Sequence, residues 1–267
     1  MSDVNYIGIF DSGLGGLTVA KSIIRTMPEE NILYFGDTAH VPYGTKSHKQ
    51  IRELAVNDVK FLSRFPLKAV VVACNTADSV AMGTLQEQFD LPIFGVIEPA
   101  SHKAARTTKN NRVGIMATSA TVRSGAYEKA IHRYNDQVQV FQLACPLLVP
   151  LVENGRYRKD DPVVQIVLKE YLDVLTANDI DTLVLGCTHY PLLSEAVQSI
   201  VPDLTVISSS EAAADALNRG MHELGMCETS GAGIQHYYVS DDAEHFEENA
   251  RVFLGEDMKA TAELAQI

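Results

Sequence analysis

Two short segments end in residues able to exchange protons. AVVVACNTA covers residues 69–77 and TLVLGCTHY covers residues 182–190. Each is an apolar run, one small residue, a cysteine, two polar residues and then a stretch of helical character. Few positions match, so the echo is weak as a repeat, but its chemical content is stronger. A thiol where the backbone leaves a sheet and enters a helix meets free N–H groups and a partial positive charge. These lower its pKa and bind anions. Ionising a free thiol of pKa about 8.5 at pH 7 costs roughly 2 kcal/mol, which a helix N-terminus or an imidazolium can supply. Two equivalent thiols, Cys74 and Cys187, would then face each other across one cleft. The competing reading is that scattered cysteines in a reducing compartment are small buried side chains. Cys145 and Cys227 lack the helix-start context and are read as structural.

Other polar residues cluster at similar places. FDSGLGGLTV (10–19) follows an apolar run and tests as a dinucleotide fingerprint. Gly13 and Gly15 fit, but Thr18 stands where the third glycine belongs. The expectation is instead that Asp11 and Ser12 point into a cleft while the glycines let the backbone approach a small ligand. GDTAHVPYGTKS (36–47) is more elaborate than a plain turn, with Tyr43-Gly44 behind Pro42, although a rigid surface turn uses the same residue types. Asp11 and Glu153 could each be a general base, or orient a neighbouring thiol or imidazole. Taken alone, each reads first as a solvated or capping carboxylate. Ser119 and Thr121 read as helix caps, or as hydroxyls that hold a ligand carboxylate.

The elements that must position these residues alternate. Short β-rich runs fall at 5–10, 31–36, 67–73, 92–97, 112–117, 137–143, 182–186, 204–208 and 234–239, with helical stretches between them. Ser47 fits a helix cap before the apolar face of Ile51, Leu54, Ala55, Leu62 and Phe65. Val164, Val167, Leu168, Tyr171 and Leu175 recur at helical spacing over 162–177. Nearly all-apolar strands alternating with helices predict an α/β protein with parallel sheet covered on both faces. Nine strands are too many for one comfortable doubly wound sheet, so two sheets or a barrel remain. In either case ligands bind beyond the carboxyl ends of the strands.

Composition narrows the function classes. The chain has 267 residues and a formal charge of −12. Such a surface repels duplex nucleic acid, and no Lys/Arg stripe offsets it. No apolar run reaches the roughly 18 residues of a membrane span. The start, MSDVNYIGIF, has no basic region or cleavage site of a signal peptide. A cytoplasmic location is expected. The four cysteines form no CxxC pair, which argues against a zinc ribbon or thioredoxin-type motif.

Taken together, FDSGLGGLTV, YFGDTAHVPYGTKS, VVACNTA, GVIEP, TVRSGAY, ACPLLVPLVE and LGCTHYPLL resemble the glutamate racemases. These belong to the cofactor-independent aspartate/glutamate racemase superfamily. The segments run in family order from about residue 8 to about 193. The tail beyond about 210 matches only in strand–helix character. One departure is Asp78, where the family commonly has a small residue after CNTA.

The resemblance implies two doubly wound α/β domains, 1–97 plus 208–267 and 98–207, related by a pseudo-twofold with the site in the cleft between them. It implies reversible interconversion of L- and D-glutamate for bacterial peptidoglycan, with no cofactor and no metal, in a homodimer. Cys74 and Cys187 would be the two acid/base residues, Asp11 assisting the first and His189 with Glu153 the second. Asp11, Ser12, Pro42, Tyr43, Gly44, Asn75, Thr76, Thr188 and His189 would contact the substrate, with Thr118, Ser119 and Thr121 nearby. Racemisation needs a proton removed from one face of a carbon and another returned to the opposite face. Two thiols, one ionised and one not, answer that need.

Other readings stay open on the residues alone. An aspartate racemase differs only in the chain length of its substrate. An arylmalonate-type decarboxylase needs one thiol. A cysteine hydrolase would use Cys187 and His189 and leave Cys74 idle. A metal site would take Cys74, Cys187, His189 and Asp11 as ligands. A binding module would hold glutamate without exchanging its α-proton.

Overall fold

Both faces of the first three strands are apolar, and this dictates the architecture. In β1 (Tyr6–Asp11), Ile7 and Ile9 enter one hydrophobic cluster and Phe10 enters another on the opposite face. In β2 (Ile32–Gly36), Ile32 and Tyr34 oppose Leu33 and Phe35, and in β3 (Leu67–Val72), Ala69 and Val71 oppose Val70 and Val72. Successive strand side chains point to opposite faces. A strand apolar on both sides has to be covered on both sides. The computed structural model, which describes residues 5–228, 231–255, 258 and 260–266, covers them with helices.

The remaining strands are Ile93–Gly95 (β4), Arg112–Ala117 (β5), Gln139–Ala144 (β6), Thr182–Gly186 (β7), Thr205–Ser208 (β8), Gln235–Val239 (β9) and Ala262–Leu264 (β10). They form two sheets, ordered β10-β9-β2-β1-β3-β4 and β6-β5-β7-β8. Every pairing is parallel. Of the two architectures left open by the sequence, two sheets form and a barrel does not. The second sheet repeats the β2-β1-β3-β4 order of the first, counted from each half's first strand. This is the strand-level form of the pseudo-twofold. In each half the order reverses between the first and third strands, the crevice where doubly wound sheets bind ligands. β3 and β7 are the third strands, and each runs into a cysteine. After β8 the chain returns through the helix Ser209–Leu224, which packs on the helices Leu17–Thr26 and Ile97–Thr107. β9 then joins the first sheet beside β2. Among the described residues no helix is long and apolar enough to cross a membrane.

Two local expectations need correction. The run PIFGVI is a strand only over β4. Val96 and Ile97 turn instead into the next helix because the Asp78 carboxylate claims their N–H groups, at 2.7 and 2.8 Å. β10 escaped the sequence reading because it has three residues, with Glu263 and Leu264 exposed and no alternation to detect.

Asp78 thereby ties the helix Asn75–Gln88, which starts at the first thiol, to the crossover between the sheets. Gly95 makes room for it, since a Cβ there would lie 2.5 Å from Asp78 Oδ2. Burial pushes the Asp78 carboxyl up to about 6, while the Ile97 and Val96 N–H groups pull the other way. Asp78→Ala leaves two buried donors without an acceptor, at about 1–3 kcal/mol each. We expect a loss of about 2–6 kcal/mol in urea unfolding, and a loss within about 1 kcal/mol for Asp78→Asn, which keeps an acceptor oxygen. Equal stability of the alanine variant and the parent would contradict this account.

Candidate active site

The strand ends of the two sheets wall one cavity of about 250 Å³. From the first sheet, Ser12 follows β1 and Cys74-Asn75-Thr76 follow β3. From the second, Thr118-Ser119 follow β5 and Cys187-Thr188-His189 follow β7. Pro42, Tyr43 and Gly44 close one side, and Glu153 lies on the wall built by the helix Leu148–Glu153. Asp11, expected to contact substrate, and Thr121, expected near it, do not line the cavity. Asp11 lies behind Ser12, its Oδ2 accepting from the Gly13 N–H at 3.0 Å. Thr121 Oγ1 lies 3.0 Å from Thr118 Oγ1, behind it.

Cys74 is the N-cap of its helix, as its place in the sequence predicted, and is 5 % exposed. Its Sγ lies 3.7 Å from Ser12 Oγ. The expected lowering of its pKa does not occur. Burial, and then the charge of Asp11, push the thiol up to about 12, against the opposing Ala77 N–H and Ser12 hydroxyl. Ionising it at pH 7 therefore costs more than the roughly 2 kcal/mol of a free thiol. The helix N-terminus is overruled by desolvation.

Cys187 is 6 % exposed and has a different companion. Its Sγ lies 3.8 Å from His189 Nδ1, and His189 Nε2 lies 3.1 Å from Glu153 Oε1. Burial draws the imidazole pKa down, but Cys187 and Glu153 more than offset it and push it up to about 10. At neutral pH His189 is thus an imidazolium held between the Cys187 sulfur and the Glu153 carboxyl group. Phe253, in the returning helix Ala243–Leu254, packs edge-on against this ring with centroids 5.4 Å apart. The Asp11 carboxyl is raised by burial, an effect opposed by the His189 charge and by N–H groups of Gly16, Gly13 and Ser12.

The glycine-rich turn does something the sequence did not indicate. A Cβ on Gly15 would lie 2.3 Å from Thr188 Oγ1 and 2.5 Å from His189 Nδ1. Its missing side chain admits the other half's site loop, not the ligand alone. Thr18, the residue that broke the dinucleotide fingerprint, places its hydroxyl 2.9 Å from the Thr188 carbonyl. Gly16 is equally constrained, with Asp11 Cβ 2.3 Å from where its own Cβ would stand. The halves also meet through Asn75 Nδ2, which donates to Tyr127 Oη at 2.8 Å, and through Thr76 and Thr118, whose hydroxyls are 2.9 Å apart.

Several site features were missed or misjudged from sequence. Cys145, read from sequence as structural, has a place at the site. It lines the same cavity, with Pro146, Val149 and Pro150 making an apolar wall. The cap of the helix Ser119–Ser124 is Thr118, not Ser119 or Thr121. The segment 145–153 had no polar signature to announce it as a cavity wall, except Glu153 itself. Among the described residues, no three His, Cys, Asp or Glu side chains group as ligands of one ion would. The four-residue metal reading therefore loses its geometry.

Comparison with known proteins agrees with this arrangement. A sequence model described as Asp/Glu/Hydantoin racemase matches residues 7–217. A protein of Persephonella marina named glutamate racemase is 44 % identical over 252 residues, covering 94 % of each chain. The crystal structure of glutamate racemase isoform RacE1 from Bacillus anthracis superposes with a TM-score of 0.95 at 38 % identity, covering 99 % of this chain and 98 % of the other. The Francisella tularensis glutamate racemase solved with D-glutamate gives 0.90 at 36 % identity, over 98 % and 97 %. With its paired thiols at matching strand ends, its two parallel sheets and likeness of this extent, the chain belongs to the Asp/Glu/hydantoin racemase family.

Proposed function

We propose that this chain interconverts L- and D-glutamate by a two-thiol exchange of the α-proton, with no cofactor. The observation that carries the proposal is the pair Cys74 and Cys187, one from each sheet, at equivalent strand ends around a single cavity. The choice of glutamate rests on the relatives of that name.

In this reading one cysteine, as thiolate, removes the α-proton while the other, as thiol, delivers one to the opposite face. The α-carbon of an amino acid is weakly acidic, so the site must favour the developing charge by placed donors and exclusion of water. The hydroxyls of Thr76, Thr118 and Thr188 suit the α-carboxylate. Asn75 Oδ1 is buried without a protein partner among the described residues, and a small shift of this side chain on binding would offer it to the substrate ammonium. That ammonium would also offset part of the cost of ionising Cys74. His189, with Glu153 behind it, supplies a counter-charge to a Cys187 thiolate. Asp11 acts on Cys74 through its charge. The units 1–97 plus 208–267 and 98–207 are proposed as the two sides that close on the substrate. The reading extends to a cytoplasmic homodimer that supplies D-glutamate for peptidoglycan, and size-exclusion chromatography with light scattering tests the dimer.

The direct test is L-glutamate in D₂O, followed together by circular dichroism and by the α-proton NMR signal. Both should decay with the purified protein alone, and a persistent α-proton would refute the proposal. Cys74→Ala and Cys187→Ala should each abolish racemisation. If either variant turned over at the parent rate, the two-thiol scheme would be wrong.

The pH dependence follows from His189. Its raised pKa means that it is protonated through neutral pH and loses its charge as the pH passes about 10. Activity should therefore fall on an alkaline limb near that value. His189→Asn should lower kcat by about 10²–10⁴-fold and remove the limb. An unchanged limb in that variant would assign it to another group.

A further inference from the structure

Three buried groups lie beneath the Pro42–Gly44 turn. Tyr43 is 1 % exposed, Asp37 1 % and Asp58 3 %. The Tyr43 hydroxyl lies 2.6 Å from Asp37 Oδ2 and 2.9 Å from Asp58 Oδ2. A phenol has one hydrogen to donate, so it cannot serve both oxygens, and the second contact needs a hydrogen of its own. Asp37 has other donors. Ser240 Oγ and His40 Nδ1 each lie 2.8 Å from its Oδ1. The Asp58 carboxyl makes no other hydrogen bond among the described residues. The missing hydrogen therefore belongs on Asp58.

We propose that Asp58 is a positioning residue for the substrate cavity: a neutral carboxylic acid that donates to Tyr43, which donates to Asp37, fixing the Pro42–Gly44 turn as one wall. The inference rests on the proposed racemase reading for its kinetic consequences only. Asp58 is in the helix His48–Leu62, away from the cavity surface, and acts through Tyr43. What Tyr43 fixes is consequential. A Cβ on its neighbour Gly44 would lie 2.9 Å from Thr118 Cβ, so the turn is seated against the opposite half. Thr118 in turn contacts Thr76, and both belong to the cavity. A chain of contacts thus joins Asp58 to the hydroxyls that suit the substrate carboxylate.

The surroundings agree with a neutral acid. Burial first, and then the charge of Asp37, push the Asp58 carboxyl well up, with Asp11 at the end of β1 adding to the rise and the Tyr43 hydrogen bond opposing it. The titratable groups facing Asp58 are therefore Tyr43, Asp37 and Asp11, and His40 reaches it only through Asp37. Two buried carboxylates sharing one phenol cannot both be ionised without strong repulsion. Once Asp58 ionises, the relay loses its first hydrogen bond and the turn loosens.

The test uses the full-length protein and two substitutions. Asp58→Asn keeps a donor to Tyr43 but has no titratable proton. Asp58→Ala removes the donor. Infrared difference spectra between the parent and Asp58→Asn at neutral pH should show the carbonyl stretch of a protonated carboxyl, shifted in D₂O. Its absence overturns the proton placement. Asp58→Ala should raise KM for glutamate on the order of tenfold with kcat nearly unchanged. Asp58→Asn should restore KM to within about twofold of the parent and abolish the parent's rise in KM with increasing pH. A KM in Asp58→Asn as high as in the alanine variant, at equal thermal stability, overturns the donor role. If Asp58→Ala does not fold, the spectrum and the Asn variant still decide. The infrared measurement needs no turnover, so failure of the glutamate assay is separable from failure of this inference.

Discussion

A group that must act on both faces of one carbon needs two arms from opposite directions, and a single strand end supplies only one. The rest of the structure depends on that constraint. Two sheets with the same strand order present the end of their third strands, β3 and β7, to one cavity. The apolar character of both strand faces is what keeps these ends rigid, because side chains packed on either side leave the backbone little freedom. The thiols are positioned by the core rather than by loops of their own.

The environment each thiol receives is not symmetric. Cys74 is dominated by desolvation and a neighbouring carboxyl, and its proton is held tightly. Cys187 sits beside an imidazolium backed by Glu153. A helix N-terminus contributes in the first case but does not decide it, since a partial charge near a buried thiol is smaller than the cost of removing an anion from water. The repeat of the fold therefore does not extend to a repeat of its electrostatics.

How much of this was legible in the sequence depended on whether the signal was local. Strands with strict apolar runs, the Ser47 cap and the helix over 162–176 followed from short-range chemistry. The paired thiols were visible because strand, small residue and Cys occur twice. What was not legible depended on distant contacts. The Asp78 carboxylate reshapes residues 96 and 97 across the sheet. Gly15 reads as a ligand-loop glycine until Thr188 and His189 are seen against it. Cys145 looked inert because its neighbours are apolar, and only the closure of the two halves puts it at the cavity. The missing drop in the Cys74 pKa has the same origin, since burial is a property of the whole fold.

The unequal walls carry a thermodynamic consequence. Mirror-image substrates have equal free energies in water, so the equilibrium constant between them is unity whatever the protein does. The ratio kcat/KM must then be the same in both directions. A cavity with a tightly protonated thiol on one side and an imidazolium-paired thiol on the other still differs in how it holds each enantiomer. That difference has to appear equally in kcat and in KM, so the hand bound more tightly is also the hand turned over more slowly.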